Sequence, residues 1–78
     1  MTGNDKLRQD LRTVAELVDP ASTLLDVGCG TGELLKWLVS HKNVKGRGME
    51  LSQQGVNQCI AKGLAVIQGD ADIDLQYY

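Results

Sequence analysis

The amino-acid sequence predicts an α/β fold, in which three short parallel strands are covered by helices as at the opening of a doubly wound sheet. Helical and strand-like segments alternate along the chain with short connections, and such alternation implies right-handed β-α-β crossovers and a parallel sheet. A glycine cluster, Gly28, Gly30 and Gly32, falls between the first strand and the helix that follows it. An acidic residue stands at or just after the end of each strand in turn: Asp26, Glu50 and Asp70.

The elements follow in order. Residues 5–18 read as a leading amphipathic helix, with Leu7, Leu11, Val14, Ala15 and Val18 at the spacing of one face and Lys6, Arg8, Gln9, Arg12 and Glu16 opposite. Asn4 or Asp5 suits its N-cap, and Asp19-Pro20 ends it, because the residue before proline is pushed out of the α region. Thr23 to Gly28 is an apolar run too short for a helix and suited to a buried strand. Glu33 to His41 returns to helical spacing, with Leu34, Leu35, Leu38 and Val39 on one face, Thr31 as the expected N-cap and His41 at the C-terminal end. Val44 to Leu51 is a second strand, weakened by Gly46 and Gly48. Ser52 then caps a helix over Gln53 to Lys62, with Val56, Cys59 and Ile60 inward and Gly63 just past its end. Leu64 to Gln68 is the third strand, closed by Gly69-Asp70. Residues 23–78 are therefore expected as one βαβαβ core behind the leading helix.

Length and composition exclude several function classes. The chain has 78 residues, room for one domain at most, and a domain this small buries only about 60% of the surface of its unfolded chain. An α/β sheet of ordinary size is expected to be incomplete at this length. Ten acidic against eight basic residues give a net charge of −2, the opposite of a nucleic-acid-binding face. No apolar run approaches a membrane span, and the first residues lack the apolar stretch of a secretory signal. With two cysteines, Cys29 and Cys59, and no export signal, the expected compartment is the reducing cytoplasm. No Cys/His cluster has zinc spacing, so no metal site is expected.

The strongest chemical signal is Asp26-Val27-Gly28-Cys29-Gly30-Thr31-Gly32, at the carboxyl end of a strand where open α/β sheets bind ligands. A dinucleotide fingerprint, G-x-G-x-x-G, counted from Gly28 and Gly30 would need glycine at position 33. That position is Glu33, and the third glycine is Gly32. A carboxylate at the helix start disfavours a pyrophosphate by like-charge repulsion. The loop therefore suits a ligand without phosphate, preferably a cation. Each acidic position also has a plain reading: Glu50 as an exposed strand-end charge, Asp70 as a turn residue. Cys29 reads as a small loop filler rather than a nucleophile, and Trp37 as packing.

A G-x-G-x-G loop after an acidic strand end resembles the first motif of the Rossmann-like class I methyltransferases, which bind S-adenosylmethionine. The resemblance implies that Gly28, Gly30 and Gly32 line the methionine end, with Cys29 inside the loop and Asp26 near the ammonium. It implies that Glu50, followed by Leu51, holds the ribose hydroxyls, since a carboxylate can accept two bonds from a vicinal diol. Asp70, followed by Ala71, matches the residue that accepts from the adenine amino group. More closely, Leu25 to Leu35, Gly46 to Leu51, Cys59 to Asp72 and the leading helix resemble the methionine-biosynthesis MetW family over nearly the whole chain. That family's domain continues through further strands and helices. The resemblance thus implies the N-terminal half of a methyltransferase-like fold, with the first strand at an exposed edge open to self-association.

Three functions follow as expectations. The first is an S-adenosylmethionine-binding, methyltransferase-like protein of methionine biosynthesis, its catalytic residues unnamed and this chain alone inactive. The second is a non-catalytic partner of homoserine O-acyltransferase, an association the resemblance implies. The third is an NAD-binding Rossmann protein, which keeps the glycine loop and an acid about 20 residues on.

Overall fold

In the computed structural model, residues 7–74 are described; the expected N-cap residues Asn4 and Asp5 lie outside them, as do Tyr77 and Tyr78. The leading helix starts at Gln9 instead of residue 5, because Arg8 is extended (φ −58°, ψ 150°) and takes the cap position without a side-chain bond. The elements run α1 (Gln9–Glu16), β1 (Thr23–Val27), α2 (Glu33–His41), β2 (Lys45–Glu50), α3 (Gln53–Ala61), β3 (Ala65–Gln68) and α4 (Ala71–Asp74). The strands are parallel and lie in the order β1-β2-β3, with Leu25 opposite Arg47 and Met49 opposite Ile67. Among the described residues no helix is long and apolar enough to cross a membrane.

Alternation along the strands decides which side of the sheet is packed. Leu24, Asp26, Gly46, Gly48 and Val66 fall on one face, Leu25, Val27, Arg47 and Ile67 on the other. Helices α2 and α3 both cover the first face. The glycines that weaken β2 as a strand are what let the helices approach. A Cβ on Gly46 would stand 2.5 Å from Leu35 Cδ1, and one on Gly48 would stand 2.7 Å from Cys29 Sγ. Leu35, Leu38 and Cys59 are consequently fully buried. One core cluster joins Leu7, Ala15, Leu38 and Val44, the other Leu35, Cys59 and Leu64, and Leu24 packs against both.

The opposite face is covered among the described residues only at Met49, which is buried, and otherwise stays open, with Leu25 45%, Val27 46% and Ile67 53% exposed. The expected covering helices therefore lie on one face only. Two consecutive crossovers of the same hand through adjacent strands place both helices on the same side. This also turns Ile60 outward, against expectation: it is one residue past Cys59 on a helix with a single covered face.

Helix ends differ from the sequence reading for local reasons. Helix α1 stops at Glu16 instead of Val18 because the last turn tightens: the Leu17 and Val18 amides donate three residues back, to Val14 and Ala15. Its outward-facing Val14 is half exposed, so the buried stripe is narrower than the five apolar positions suggest. Helix α2 begins on Gly32, not Thr31. Gly32 sits at φ +83°, donating its amide to Cys29 and accepting from Lys36, and no side chain caps the helix. Ser52 caps α3 as expected, its hydroxyl accepting from the Gly55 amide at 3.2 Å, and Gly63 takes the left-handed position beyond the end. His41 Nδ1 lies 3.1 Å from the Trp37 carbonyl, its ring stacked on the indole. Helix α4 was not anticipated.

The C-terminus of α1 is held by a charge from the far end of α2. Lys42 Nζ donates to the Ala15 carbonyl at 2.7 Å and the Val18 carbonyl at 2.5 Å. A cation at a helix C-terminus satisfies orphan carbonyls and complements the helix dipole. Lys42→Met keeps the aliphatic stem and removes the donor. It is expected to lower stability by about 1–2 kcal/mol, read as a shift in the urea midpoint of the full-length protein; an unchanged midpoint would refute this role.

Candidate functional site

The carboxyl ends of the three strands converge on the glycine loop. The loop is tied down at its start by the amides of Gly28 and Cys29, which donate to the Met49 carbonyl at 2.7 and 3.2 Å. Gly28, Gly30 and Gly32 all have positive φ, a conformation most side chains strain to adopt. At Gly32 space is also closed: a Cβ would meet Leu64 Cδ1 at 2.6 Å and Cys59 Sγ at 2.8 Å. The Gly30 carbonyl accepts from the Cys59 thiol at 3.3 Å, and Lys62 Nζ donates to the Thr31 carbonyl at 2.5 Å. Helix α3 and the residues after it thus support the loop from behind.

Glu50 closes the loop from the front. Its Oε1 accepts from the Gly30 amide at 2.8 Å and its Oε2 from the Ser52 amide at 2.9 Å. These two bonds, Ser52 first, hold its carboxyl below the ordinary glutamate range, so it stays charged well into mild acid. The Gly69 amide donates to the Glu50 main-chain carbonyl at 3.1 Å, joining the β3 exit to the same point.

Asp70 opens α4. Its Oδ1 accepts from the Asp72 amide at 2.9 Å, and its own amide donates to Asp74 Oδ2 at 2.6 Å. The turn role read for Asp70 is therefore real, and it occupies one carboxylate oxygen while the residue still faces the cleft. That cleft, about 210 Å³, is lined by Val27, Gly28, Met49, Glu50, Leu51, Gly69, Asp70, Ala71 and Asp72. It is smaller than the ~300–1,000 Å³ of most small-molecule sites and suits one end of a ligand.

Of the expected positions, Gly28, Glu50, Leu51, Asp70 and Ala71 line this cleft together. Asp26, Cys29, Gly30 and Gly32 do not. Gly30 reaches it through its bond to Glu50, and Gly32 forms the start of α2. Cys29 turns inward, its Sγ 3.9 Å from Cys59 Sγ. Burial, then Cys59, pushes its thiol up to about 12, so it is a protonated filler and not a nucleophile. Asp26 shares the helix-covered face with Gly48 and is half-buried. Sequence reasoning missed Ser52 as the second donor to Glu50, and Asp72 and Asp74 as partners of Asp70. An Asp-x-Asp turn pattern at 70–72 was the available signal for the latter.

Glu33 bears on ligand charge less than its position suggested. Its carboxylate is 3.5 Å from Arg8 Nε, a half-exposed ion pair that offsets its charge. The stronger discrimination lies in the cleft: among the described residues its lining includes Glu50, Asp70 and Asp72 and no lysine or arginine. A phosphate there would meet like-charge repulsion, whereas hydroxyl and amino groups would find acceptors.

Asp26 is the strand-end carboxylate without such compensation. Burial alone pushes its carboxyl above the ordinary aspartate value. Between the ordinary and the raised value the folded protein holds a proton that the unfolded chain has lost, so stability falls as pH rises through that window. Asp26→Asn is expected to raise stability at neutral pH and to flatten this segment of the pH dependence. Urea unfolding at acidic and neutral pH checks both, and identical profiles for the variant and the wild type would contradict it.

Comparison with known proteins gives the fold a lineage. A search of curated proteins found no match. Among solved structures, TrmK of M. capricolum, a complex with S-adenosyl-homocysteine, superposes with a TM-score of 0.76 at 20% identity, covering 90% of this chain and 35% of that one. A SAM-dependent methyltransferase from Archaeoglobus fulgidus matches with a TM-score of 0.73 at 26% identity, covering 87% and 30%. A SAM-dependent methyltransferase from Thiobacillus denitrificans, in complex with S-adenosyl-L-homocysteine, matches with a TM-score of 0.59 at 30% identity, covering 90% and 32%. The chain spans about a third of the length of each. The architecture is therefore that of a Rossmann-like class I methyltransferase fold, represented in the described residues by three parallel strands and their helices. The profile of the family described as methionine biosynthesis protein MetW matches residues 8–78, and the chain belongs to that family.

Proposed function

We propose that this chain is an S-adenosylmethionine-binding, methyltransferase-like protein of methionine biosynthesis. The observation that carries the reading is the cleft lining: three carboxylates, Glu50, Asp70 and Asp72, beside a glycine loop, with no basic side chain among the described residues that line it. S-adenosylmethionine has a vicinal diol, an exocyclic amine, an ammonium and a sulfonium, and no phosphate, so its donors and charges complement such a site.

The roles divide by position. Glu50 takes the ribose hydroxyls: each oxygen already accepts one backbone amide, and a carboxylate offers about four acceptor sites in all. Asp70 takes the adenine amino group with the acceptor capacity not used by Asp72, beside Ala71 and Leu51. The Gly28–Gly32 loop, with Cys29 packed behind it, lets the methionine end approach the main chain. Asp26 acts through the loop as the charge that a cation there would relieve. The bound cofactor would supply an electrophilic methyl group; these residues bind and orient it, which is the larger part of such catalysis.

The reading places the protein in the reducing cytoplasm, which suits Cys29 and Cys59 as free thiols. A second reading, implied by the family resemblance, is that the protein acts as a non-catalytic partner of homoserine O-acyltransferase. A pull-down with that enzyme separates the two: capture that survives destruction of the glycine loop supports the partner role. The main test is calorimetry of the full-length protein with S-adenosylhomocysteine. Binding is expected, with NAD failing to bind and Glu50→Ala weakening the affinity at least about tenfold, or roughly 1.4 kcal/mol. Absence of binding, or indifference to Glu50→Ala, would overturn the reading.

A further inference from the structure

Helix α3 contains a residue that its own helix does not want. Ser52 is the N-cap, and Gly55, the third residue of the helix, donates its amide to the Ser52 hydroxyl. The favoured residue there is Glu or Gln, which would close a capping box. Glycine instead destabilises a helix relative to alanine. Its φ is not in the left-handed region, so backbone conformation does not explain it.

The surroundings of Gly55 do explain it. The residue is buried. A Cβ would stand 2.9 Å from Glu50 Cγ, 2.9 Å from the Gly30 carbonyl oxygen and 3.2 Å from Glu50 Cδ. The first two lie below the closest approach that real Cβ atoms make, and one of them is to backbone, which cannot swing aside as a side-chain tip can. The groups a methyl would displace, the Glu50 stem and the Gly30 carbonyl, belong to the two residues that one hydrogen bond joins: Glu50 Oε1 accepts from the Gly30 amide. The Ser52 amide holds the other oxygen, and Ser52 is also the cap of the helix that presents Gly55.

We propose that Gly55 is a positioning residue for the Glu50 carboxylate: its missing side chain leaves room for Glu50 to bridge the glycine loop and the α3 cap, and so sets how the cleft meets a vicinal diol. The bridge belongs to the protein alone; the diol rests on the function proposed above.

The test is Gly55→Ala in the full-length protein, read three ways. Alanine's higher helix propensity opposes the clash, so the melting temperature is expected to fall only modestly, and the other two readings are taken at a temperature where the variant is fully folded. Carboxyl-carbon NMR without ligand reports the bridge: Glu50 titrates below the ordinary glutamate range in the wild type, and the variant is expected to return toward it, with the Gly30 amide resonance shifting. S-adenosylhomocysteine affinity is expected to fall about tenfold, with no further loss when Gly55→Ala is added to Glu50→Ala, because residues acting through one another are non-additive.

An unmoved Glu50 titration and Gly30 amide would overturn the proposal, as would an additive double mutant. If the wild type binds no S-adenosylhomocysteine but the NMR response occurs, the functional reading fails and the positioning role survives. If Gly55→Ala does not fold, the Glu50→Ala background decides. Folding restored there places the clash at Glu50, as proposed; no restoration places it at the Gly30 backbone and overturns the assignment.

Discussion

The Glu50 side chain is shared between two backbone amides, Gly30 at 2.8 Å and Ser52 at 2.9 Å. Through these bonds one carboxylate joins the glycine loop after β1, the end of β2 and the cap of α3. The main chain adds to the same junction, since Gly28 and Cys29 donate to Met49 and Gly69 donates to Glu50. Loops are ordinarily the mobile part of an α/β structure. Here the loops at the carboxyl ends of the strands are bonded to one residue, so the cleft they form has a defined shape before any ligand enters it.

Packing on the other side of the loop makes that junction feasible. Gly46 and Gly48 remove two side chains from the helix-facing side of β2, which brings Leu35 and Cys29 down onto the strand. Cys59 then sits fully buried behind the loop with its thiol on the Gly30 carbonyl. The Gly30 residue is thereby held on both sides, its amide by Glu50 and its carbonyl by Cys59. A strand that looks poor by propensity is the centre of the sheet because tertiary packing overrides intrinsic preference.

The strand-end carboxylates differ in what surrounds them. Glu50 has two backbone donors and is held below its ordinary range. Asp70 accepts from the Asp72 amide and caps a short helix. Asp26 is half-buried, and desolvation pushes it up. Three residues of like charge at successive strand ends thus divide into two that the backbone stabilises and one that destabilises the fold when ionised.

Most of the architecture was legible in the sequence because it rests on periodicity and turn chemistry. Leu34, Leu35, Leu38 and Val39 mark α2, Ser52 and Gly63 bracket α3, and the alternation of elements implies a parallel sheet. Gly28, Glu50 and Asp70 were legible as a site for the same reason: each follows a strand, and parallel strands end on the same side. Local signals could not show that Glu50 is bonded to Gly30, 20 residues away, that Cys29 faces inward, or that Ile60 faces out. Those depend on which face of each element meets a neighbour. The sequence by itself determined the order of the elements and the type of residue at each strand end, because short-range sterics and hydrophobic spacing are properties of neighbours in the chain. The tertiary structure alone decided which carboxylate carries the glycine loop, which is left desolvated, and why Gly55 has no side chain, because those follow from contacts between residues far apart in sequence.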